Sequence, residues 1–420
     1  MVTKDENERL TRVEGDAPMG RMIRENYWIP FALSSHLTSC DAPMPVRLLG
    51  ENYVAFRGEN GAIGFFDELC PHRRASLTLA RVEGDGMRCI YHGWKIDEGG
   101  CVVDAPTQTV RAEQFAKRVP VMHFPVREAG GLAWVWLGGT QAPAFPELPF
   151  EGAVEDNSWL SVSVAPCNWL QGVEGTIDSV HAGTLHQTWL QNAARMQDNS
   201  HIGLALAGPP TYETEAAPYG LQAVALRPTA DGRTYARVTQ FFMPLVCVVP
   251  FGRARPLEGS VFAFAPVDDN NHLLFYGYYS DEPQGLPVDM GVVNPDHQPD
   301  PRDFAGVRGH RGNLWGQDRA LLKAGHHTGF GRTLLEEDLV VQTSMGPIVD
   351  RSKECLSSSD VAVAHARKLL LDALTAAGAG DLPPGSAHTP TAVRMPNALE
   401  FVFDEGVEWR DVVVTLLADG

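Results

Sequence analysis

The alternation of apolar and polar positions divides this chain into two stretches of different period length. From about residue 27 to 138, short β-type runs recur near every ten residues between Gly-rich turns: VRLLG, YVAFRG, AIGFFDE, MRCIYHGWKI and LAWVWLGG. Such spacing predicts a small antiparallel β domain. Beyond residue 154 the strand-like segments lengthen, as in SWLSVSVAP, GLQAVALRP, TYARVTQFFMPLVCVVPF, GSVFAFAPV and HLLFYGYY. QGVEGTIDSVHAGTLHQ has a helical pattern and SDVAVAHARKLLLDALTAA a clear amphipathic one. Strands dominate the middle and helices flank them, so the chain reads as α+β. The Pro-rich TQAPAFPELPFEGA predicts a linker, and VVNPDHQPDPRD (292–303) an exposed loop. The expected division is a lead-in with a short helix over 1–26, a β domain over 27–140, a linker over 141–153 and a larger domain over 154–420.

Composition narrows the function. A length of 420 residues exceeds one ordinary core and predicts at least two domains. The net charge of −18 argues against nucleic acid or an anionic membrane as partner. There is no run of about 20 apolar residues, so no membrane span is expected. The polar start MVTKDENERLTRVEGD lacks a signal-peptide core, so a cytoplasmic location is expected. Seven cysteines, an odd number in a long chain, predict free or ligating thiols in a reducing compartment rather than a disulfide framework. No glycine-rich dinucleotide fingerprint or phosphate loop is present, which argues against built-in NAD or flavin binding.

Two segments carry ligand chemistry. In the first, Cys70-Pro-His72 is followed after sixteen residues by Cys89-Ile-Tyr-His92-Gly-Trp. Each loop offers one thiolate and one imidazole. A Cys₂His₂ zinc site is an alternative, but its usual spacing groups the cysteines and the histidines separately. Mixed loops suit a Rieske [2Fe–2S] cluster, where two cysteines bind one iron and two histidines the other. Cys70 and Cys89 are thus assigned to one iron, His72 and His92 to the second. Pro71 and Gly93 fit tight turns, and Cys101 reads as a strand residue. The cations Arg73, Arg74, Arg88 and Lys95 around these loops predict a local positive patch on which an acidic reductase could dock in a salt-sensitive manner.

The second segment runs from Asn168 to His186 and contains Asp178, His181 and His186. Asp178 and His181, three apart, are expected on one helix face. His186, five residues on, would point about 140° away on a regular helix, so convergence on one ion needs a bend, for which Gly183 offers a place. Two imidazoles and one carboxylate form the facial triad of non-haem Fe(II) oxygenases. The pattern leaves Glu336, Glu337, Asp338 and Asp318 open as sources of the carboxylate. A carboxylate such as Asp178 beside a ligating imidazole can accept its distal N–H and fix the ring, and its second oxygen can accept an N–H from a cluster ligand such as His92.

With both segments in hand, the chain resembles the α-subunits of Rieske aromatic-ring-hydroxylating oxygenases, in the branch of phthalate dioxygenase. The resemblance spans nearly the whole chain, through PMGRMIRENYWIPFALSSHL, CPHRRASL, CIYHGWK, CNWLQGVEGTIDSVHAGTLHQ and EEDLVVQTSMGPIVDRSKECLSSSD. It implies a Rieske domain followed by a catalytic domain, with His181, His186 and Asp338 on a mononuclear iron. It implies that Asp178 links the two metal centres across a subunit boundary in a trimer or stacked trimers. It also implies O₂ as co-substrate and a separate NAD(P)H-dependent reductase. Members that hold a dicarboxylate use two arginines. Here Arg237 occupies one such position, and GPPTYETE, where the other is expected, has none. A single anchoring arginine suits an aromatic monocarboxylate. The expected reaction is cis-dihydroxylation, with hydroxylation or O-dealkylation by a monooxygenase as the alternative. A simple Rieske electron carrier is the rival of another class, and it would have no use for the second segment.

Overall fold

A computed structural model describes every residue except 1, 40, 154–156, 197–199, 206–207, 252–257, 281–291, 295, 297–299, 390–391 and 419–420. Cys40 and part of the 292–303 loop therefore lie outside the described residues. The architecture is α+β with a small antiparallel β domain ahead of a larger one, as the patterning predicts.

The N-terminal part contains three small antiparallel sheets. One pairs Ile29–Leu33 with Leu132–Val135 and Val126–Ala129; a second pairs Met44–Leu48, Glu51–Arg57 and Ile63–Asp67. The third is a meander of Arg81–Glu83, Gly86–Arg88, Lys95–Asp97 and Val102–Asp104. The run MRCIYHGWKI is thus not one strand. Its middle leaves the sheet as a loop between Gly86–Arg88 and Lys95–Asp97. Val54, Phe56, Phe66, Leu77, Met87 and Ile96 form a separate small core under the third sheet. The first sheet instead shares the main core with the larger domain.

The larger domain is built on eight antiparallel strands. Their order is Ser158–Ala165, His272–Tyr279, Gly259–Pro266, Val246–Val249, Thr234–Phe242, Gly220–Pro228 and Thr211–Ala217. Val246–Val249 pairs with the far end of Thr234–Phe242, and Leu399–Phe403 occupies the remaining part of that edge. Apolar residues line both faces of the central strands because both are covered. One face meets the helices that carry the candidate site; the other packs Val224, Ala236 and Val238 under Trp409 and Val413 of the C-terminal helix.

The lead-in forms two helices, Lys4–Thr11 and Pro18–Asn26, where the sequence suggested one. Asn7 is buried, donates to the Val349 carbonyl at 3.0 Å and accepts from Arg351 at 3.1 Å. Arg351 in turn grips Glu174 with two nitrogens, at 2.8 and 2.9 Å, and Arg367 adds a third contact to Glu174 at 2.7 Å. Burial alone would raise the Glu174 carboxyl, but the two guanidinium groups outweigh it and hold it below its ordinary range.

Candidate functional site

The two cluster loops fold by the same hydrogen-bonding scheme. In each, the cysteine N–H donates to the carbonyl five residues on: Cys70 to Ala75 and Cys89 to Trp94, both at 2.9 Å. In each, the residue four positions on donates back to the cysteine carbonyl: Arg74 to Cys70 at 2.9 Å and Gly93 to Cys89 at 3.0 Å. That fourth residue is left-handed in both, with φ of +58° at Arg74 and +76° at Gly93. Glycine is the natural occupant there, and a Cβ on Gly93 would also press on Pro106.

The two turns face one another and bring together the four residues singled out from sequence. Cys70 and Cys89 are each 2% exposed, and the His72 and His92 rings lie 4.5 Å apart between centroids. Burial, and then the neighbouring Cys89 sulfur, push the Cys70 thiol up to about 11. Nδ1 of His72 is buried with no hydrogen-bond partner among the described residues. Two buried thiols and an inward-facing, unpartnered imidazole nitrogen fit a [2Fe–2S] cluster held by two cysteines and two histidines. Trp94 stacks flat on His72, with 4.4 Å between centroids and 5° between planes, and its own N–H donates to Thr107 at 2.9 Å.

The positive patch is smaller than the sequence suggested, because ion pairs within the same sheets consume half of it. Arg74 pairs with Asp67 at 3.0 Å, and Arg88 pairs with both Glu83 and Asp104 at 2.8 Å. What the tip exposes instead is partly apolar: Ile90, and Tyr91 tilted against His92.

In the larger domain, the helical segment around His181 is broken. A helix runs over Trp169–Ile177 and stops at Asp178, five residues before Gly183. Asp178 caps the break itself: its N–H reaches Glu174 O at 3.1 Å, and its Oδ1 accepts from the Val180 N–H at 2.8 Å. Asp178 and His181 therefore do not share a helix face as expected. A short 3₁₀ turn, His181–Gly183, follows, and His186 precedes the helix Gln187–Met196. Gly172 and Gly175 set the depth of the first helix. A Cβ at Gly172 would collide with Phe264 and His272, and one at Gly175 with Gln342. Close approach to Gln342 brings the helix against Leu334–Ser344, which carries Asp338.

His181, His186 and Asp338 converge so that one ligand atom from each lies within 4.8 Å of the others. Asp338 Oδ1 is 3.2 Å from His186 Nε2 and 3.5 Å from His181 Nε2. The rings are 5.1 Å apart and nearly perpendicular. Both Nε2 atoms face the carboxylate, and both Nδ1 atoms face a second one. His186 Nδ1 meets Glu337 at 2.8 Å; His181 Nδ1 lies 3.6 Å from Asp178 Oδ2. Glu337 is fully buried and also accepts from the Thr328 hydroxyl. Burial disfavours a charged His186, yet Asp338 and Glu337 overcome it and push the imidazole up to about 9. The triad's nitrogen and oxygen donors, with His186 oriented by its bond to Glu337 and His181 facing Asp178, fit a divalent iron with open positions.

The other acids considered from sequence lie elsewhere. Asp318 is exposed and caps the helix Arg319–Lys323 by accepting from Ala320 and Leu321. Glu336 pairs with Arg332 at 2.7 Å. Glu337 was weighed only as an ion ligand; its place is behind His186.

A cavity of about 140 Å³ opens on the triad, and its lining includes Asp178, Arg237, Thr239, Phe251, Phe262 and Tyr276. Arg237 stands on the strand Thr234–Phe242, so a rigid sheet holds the guanidinium over the same space as the triad. Among the described residues it is the one arginine that lines the cavity.

The comparisons with known proteins agree with this geometry. Residues 27–122 match the Rieske [2Fe-2S] domain, and residues 135–418 match the family described as LigXa C-terminal domain like. The oxygenase subunit of phthalate 4,5-dioxygenase from Pseudomonas putida is 34% identical over 98% of this chain and 94% of its own length. The oxygenase subunit of 3-chlorobenzoate-3,4-dioxygenase from Comamonas testosteroni is 34% identical over 97% of each. Among solved structures, the terminal oxygenase of carbazole 1,9a-dioxygenase from a Novosphingobium species superposes with a TM-score of 0.54 at 19% identity, covering 87% of this chain and 96% of that one. That last likeness speaks to fold. Among the described residues no helix is long and apolar enough to cross a membrane, and the six described cysteines are free.

Proposed function

Because the chain belongs to the Rieske non-haem iron aromatic-ring-hydroxylating oxygenases, in the phthalate dioxygenase branch, we propose that it is the component that cis-dihydroxylates an aromatic monocarboxylate, fed with electrons by a separate NAD(P)H-dependent reductase. Cys70, Cys89, His72 and His92 would hold the [2Fe–2S] cluster, and His181, His186 and Asp338 the mononuclear iron. When bound, these groups supply single electrons and an O₂-binding centre for oxidation of the ring.

The chain's own residues supply position and exclusion. Glu337 accepts from Nδ1 of His186, and Asp178 faces Nδ1 of His181 at 3.6 Å, which leaves each Nε2 lone pair aimed at the same point. Asp178, whose Oδ1 accepts from Val180 and whose Oδ2 faces His181, would use a remaining lone pair toward a histidine such as His92 of another copy in a trimer, as a link between centres. Arg237 supplies a planar fork that suits a carboxylate bidentately, where lysine would be a poor substitute. Phe251, Phe262 and Phe264 form an apolar waist that receives the ring and excludes water.

The observation that carries this reading is one cavity shared by the triad and Arg237. A void of about 150 Å³ accommodates a benzene ring, so the space is scaled to one ring rather than two fused ones. The test is product analysis over a panel of substituted benzoates, their methyl esters and phthalate, with a matched reductase. Free monocarboxylates should yield cis-dihydrodiols. Equal turnover of esters would remove Arg237 as the anchor, and phenolic or dealkylated products would establish monooxygenation instead.

A further inference from the structure

Arg227 is buried in a way the proposed reaction does not explain. It sits on the strand Gly220–Pro228, is 2% exposed, and no carboxylate pairs with it among the described residues. Its Nε donates to the Gly208 carbonyl at 3.1 Å and its Nη2 to the Ser179 carbonyl at 3.3 Å, while Nη1 has no hydrogen-bond partner among those residues. Burial opposes its charge, and so does Arg237 nearby. A guanidinium placed at such cost on two neutral carbonyls calls for a reason.

The reason lies in what it touches. Ser179 follows Asp178, at the break between the helix and the His181 turn. The opposite end of the Ser179 residue is held too: its N–H donates to the Tyr212 hydroxyl at 2.7 Å. Tyr212 belongs to Thr211–Ala217, where it pairs with Ala225. Arg227 is two residues beyond Ala225, so both side chains leave the same face of the hairpin as diagonal neighbours. One hairpin thus grips a single residue by its donor and its acceptor. The grip falls one residue from Asp178, whose charge is among those that act on Arg227 and on Tyr212. Asp178 has spent one oxygen on Val180, so the direction of the other depends on where that turn is held.

We propose that Arg227 and Tyr212 are positioning residues that clamp Ser179 and thereby aim the Asp178 carboxylate at His181 and outward from the iron pocket. This rests on the reading of Asp178 as the link between the centres. Neither residue touches substrate or the triad directly. The guanidinium is required for its fork, which spans the Gly208 and Ser179 carbonyls.

The test uses the holoenzyme with its reductase and four variants: Tyr212→Phe, Arg227→Lys, Arg227→Gln and Asp178→Asn. Amide hydrogen exchange over residues 178–181 reads the clamp without turnover. Exchange at Ser179 should speed at least tenfold in Tyr212→Phe and Arg227→Gln, and less in Arg227→Lys. Cluster oxidation in a single turnover should slow at least tenfold in Arg227→Gln and several-fold in Tyr212→Phe, at unchanged iron and sulfide content. The double variant should be no slower than Arg227→Gln alone, since both act on one residue. Wild-type exchange at Ser179 in Tyr212→Phe, a variant that removes one oxygen, would overturn the clamp even if Arg227→Gln fails to fold. Slow oxidation in Asp178→Asn beside wild-type rates in the other three would sink the clamp and leave the link standing. Wild-type rates in all four would sink the link itself.

Discussion

The cluster loops and the iron triad both present imidazoles, but they hold them by opposite means. Within one chain, no acid among the described residues backs a cluster ring. His72 is held by an aromatic plate, Trp94, and the two loops copy one turn within 23 residues of sequence, from 70 to 92. At the triad, each ring is backed by its own carboxylate, and the ligands come from elements about 150 residues apart. The contrast follows from charge. The cluster loops bring thiolates, which carry the negative charge themselves, so neutral packing suffices for the histidines. The triad would bring one carboxylate to a divalent ion, and the two outer acids would raise the basicity of its neutral ligands. A buried histidine outside both sites serves as the control. His272 is as buried as His186 but among the described residues bonds only to the Cys167 carbonyl, at 2.8 Å. Burial pushes it down to about 4, while His186, with two acids, is pushed up to about 9.

Independence of the two regions gives the largest expected effects. Asp338→Ala should lower turnover by more than about a thousandfold, roughly 4 kcal/mol, and remove the mononuclear iron while the cluster's visible spectrum stays intact. Cys70→Ala or His92→Ala should do the reverse, emptying the cluster and sparing the iron. Asp318→Ala, which alters only a helix cap, should leave both contents unchanged. Loss of cluster absorbance in Asp338→Ala would show that the small core does not fold apart from the large one.

His272 gives the next. Its folded pKa of about 4 lies below its unfolded value of about 6.5, so protons bind more readily to the unfolded chain. Stability is full above about 6.5 and falls as pH drops toward 4, by up to roughly 3 kcal/mol. Urea unfolding at pH 7 and pH 4.5 should therefore show a steeper loss in the wild type than in His272→Asn, which cannot titrate. Parallel losses in both proteins would mean that His272 is not held neutral.

The carboxylate behind His186 should be worth less than a ligand but more than the aromatic plate. Glu337→Gln is expected to weaken iron binding about 10- to 100-fold, measured by chelator competition, without change in the cluster spectrum. Asp178→Asn should weaken it less, since its contact is longer and more exposed. The smallest effect belongs to Trp94. Trp94→Phe keeps a ring on His72 but loses the bond to Thr107, and Trp94→Leu loses the stack, worth about 0.5–1.5 kcal/mol. Thermal loss of cluster absorbance should order wild type, Phe, Leu, with iron content constant throughout.

The same contrast explains how much was legible in the sequence. The cluster loops could be read from spacing because their ligands and their turns are local. His181 and His186 could be read as ligand types, but their convergence could not. The helix breaks at Asp178, which caps itself with its own side chain, and not at Gly183, whose freedom was the visible signal. Among the acids near residue 337 the pattern left Asp338 undecided, and the family resemblance selected it. Adjacent positions on a helix diverge by about 100°, so two neighbouring acids can flank one imidazole site from different sides; that was the signal for Glu337. Arg227 gave none, since GLQAVALRP reads as an ordinary strand. The edge strand Thr211–Ala217 was missed because it is mostly half or fully exposed, and its polar TYETEAA lacks a hydrophobic run. Leu399–Phe403 is short and stands apart from the other strands in sequence, although LEFVF alternates in burial as a strand should.

The contact of Asn7 with Arg351 has a consequence for the order of events during synthesis. A nascent chain of 140 residues already contains all four cluster ligands and the small core beneath them. A chain of 350 residues contains the whole triad, yet still lacks the arginine that fastens the first helix to Glu174. Contacts between residues more than 340 positions apart form slowly, because the loop must close before they reward it. A chain emerging from the ribosome can therefore form its cluster loops well before the contact that fastens its first helix to the larger domain.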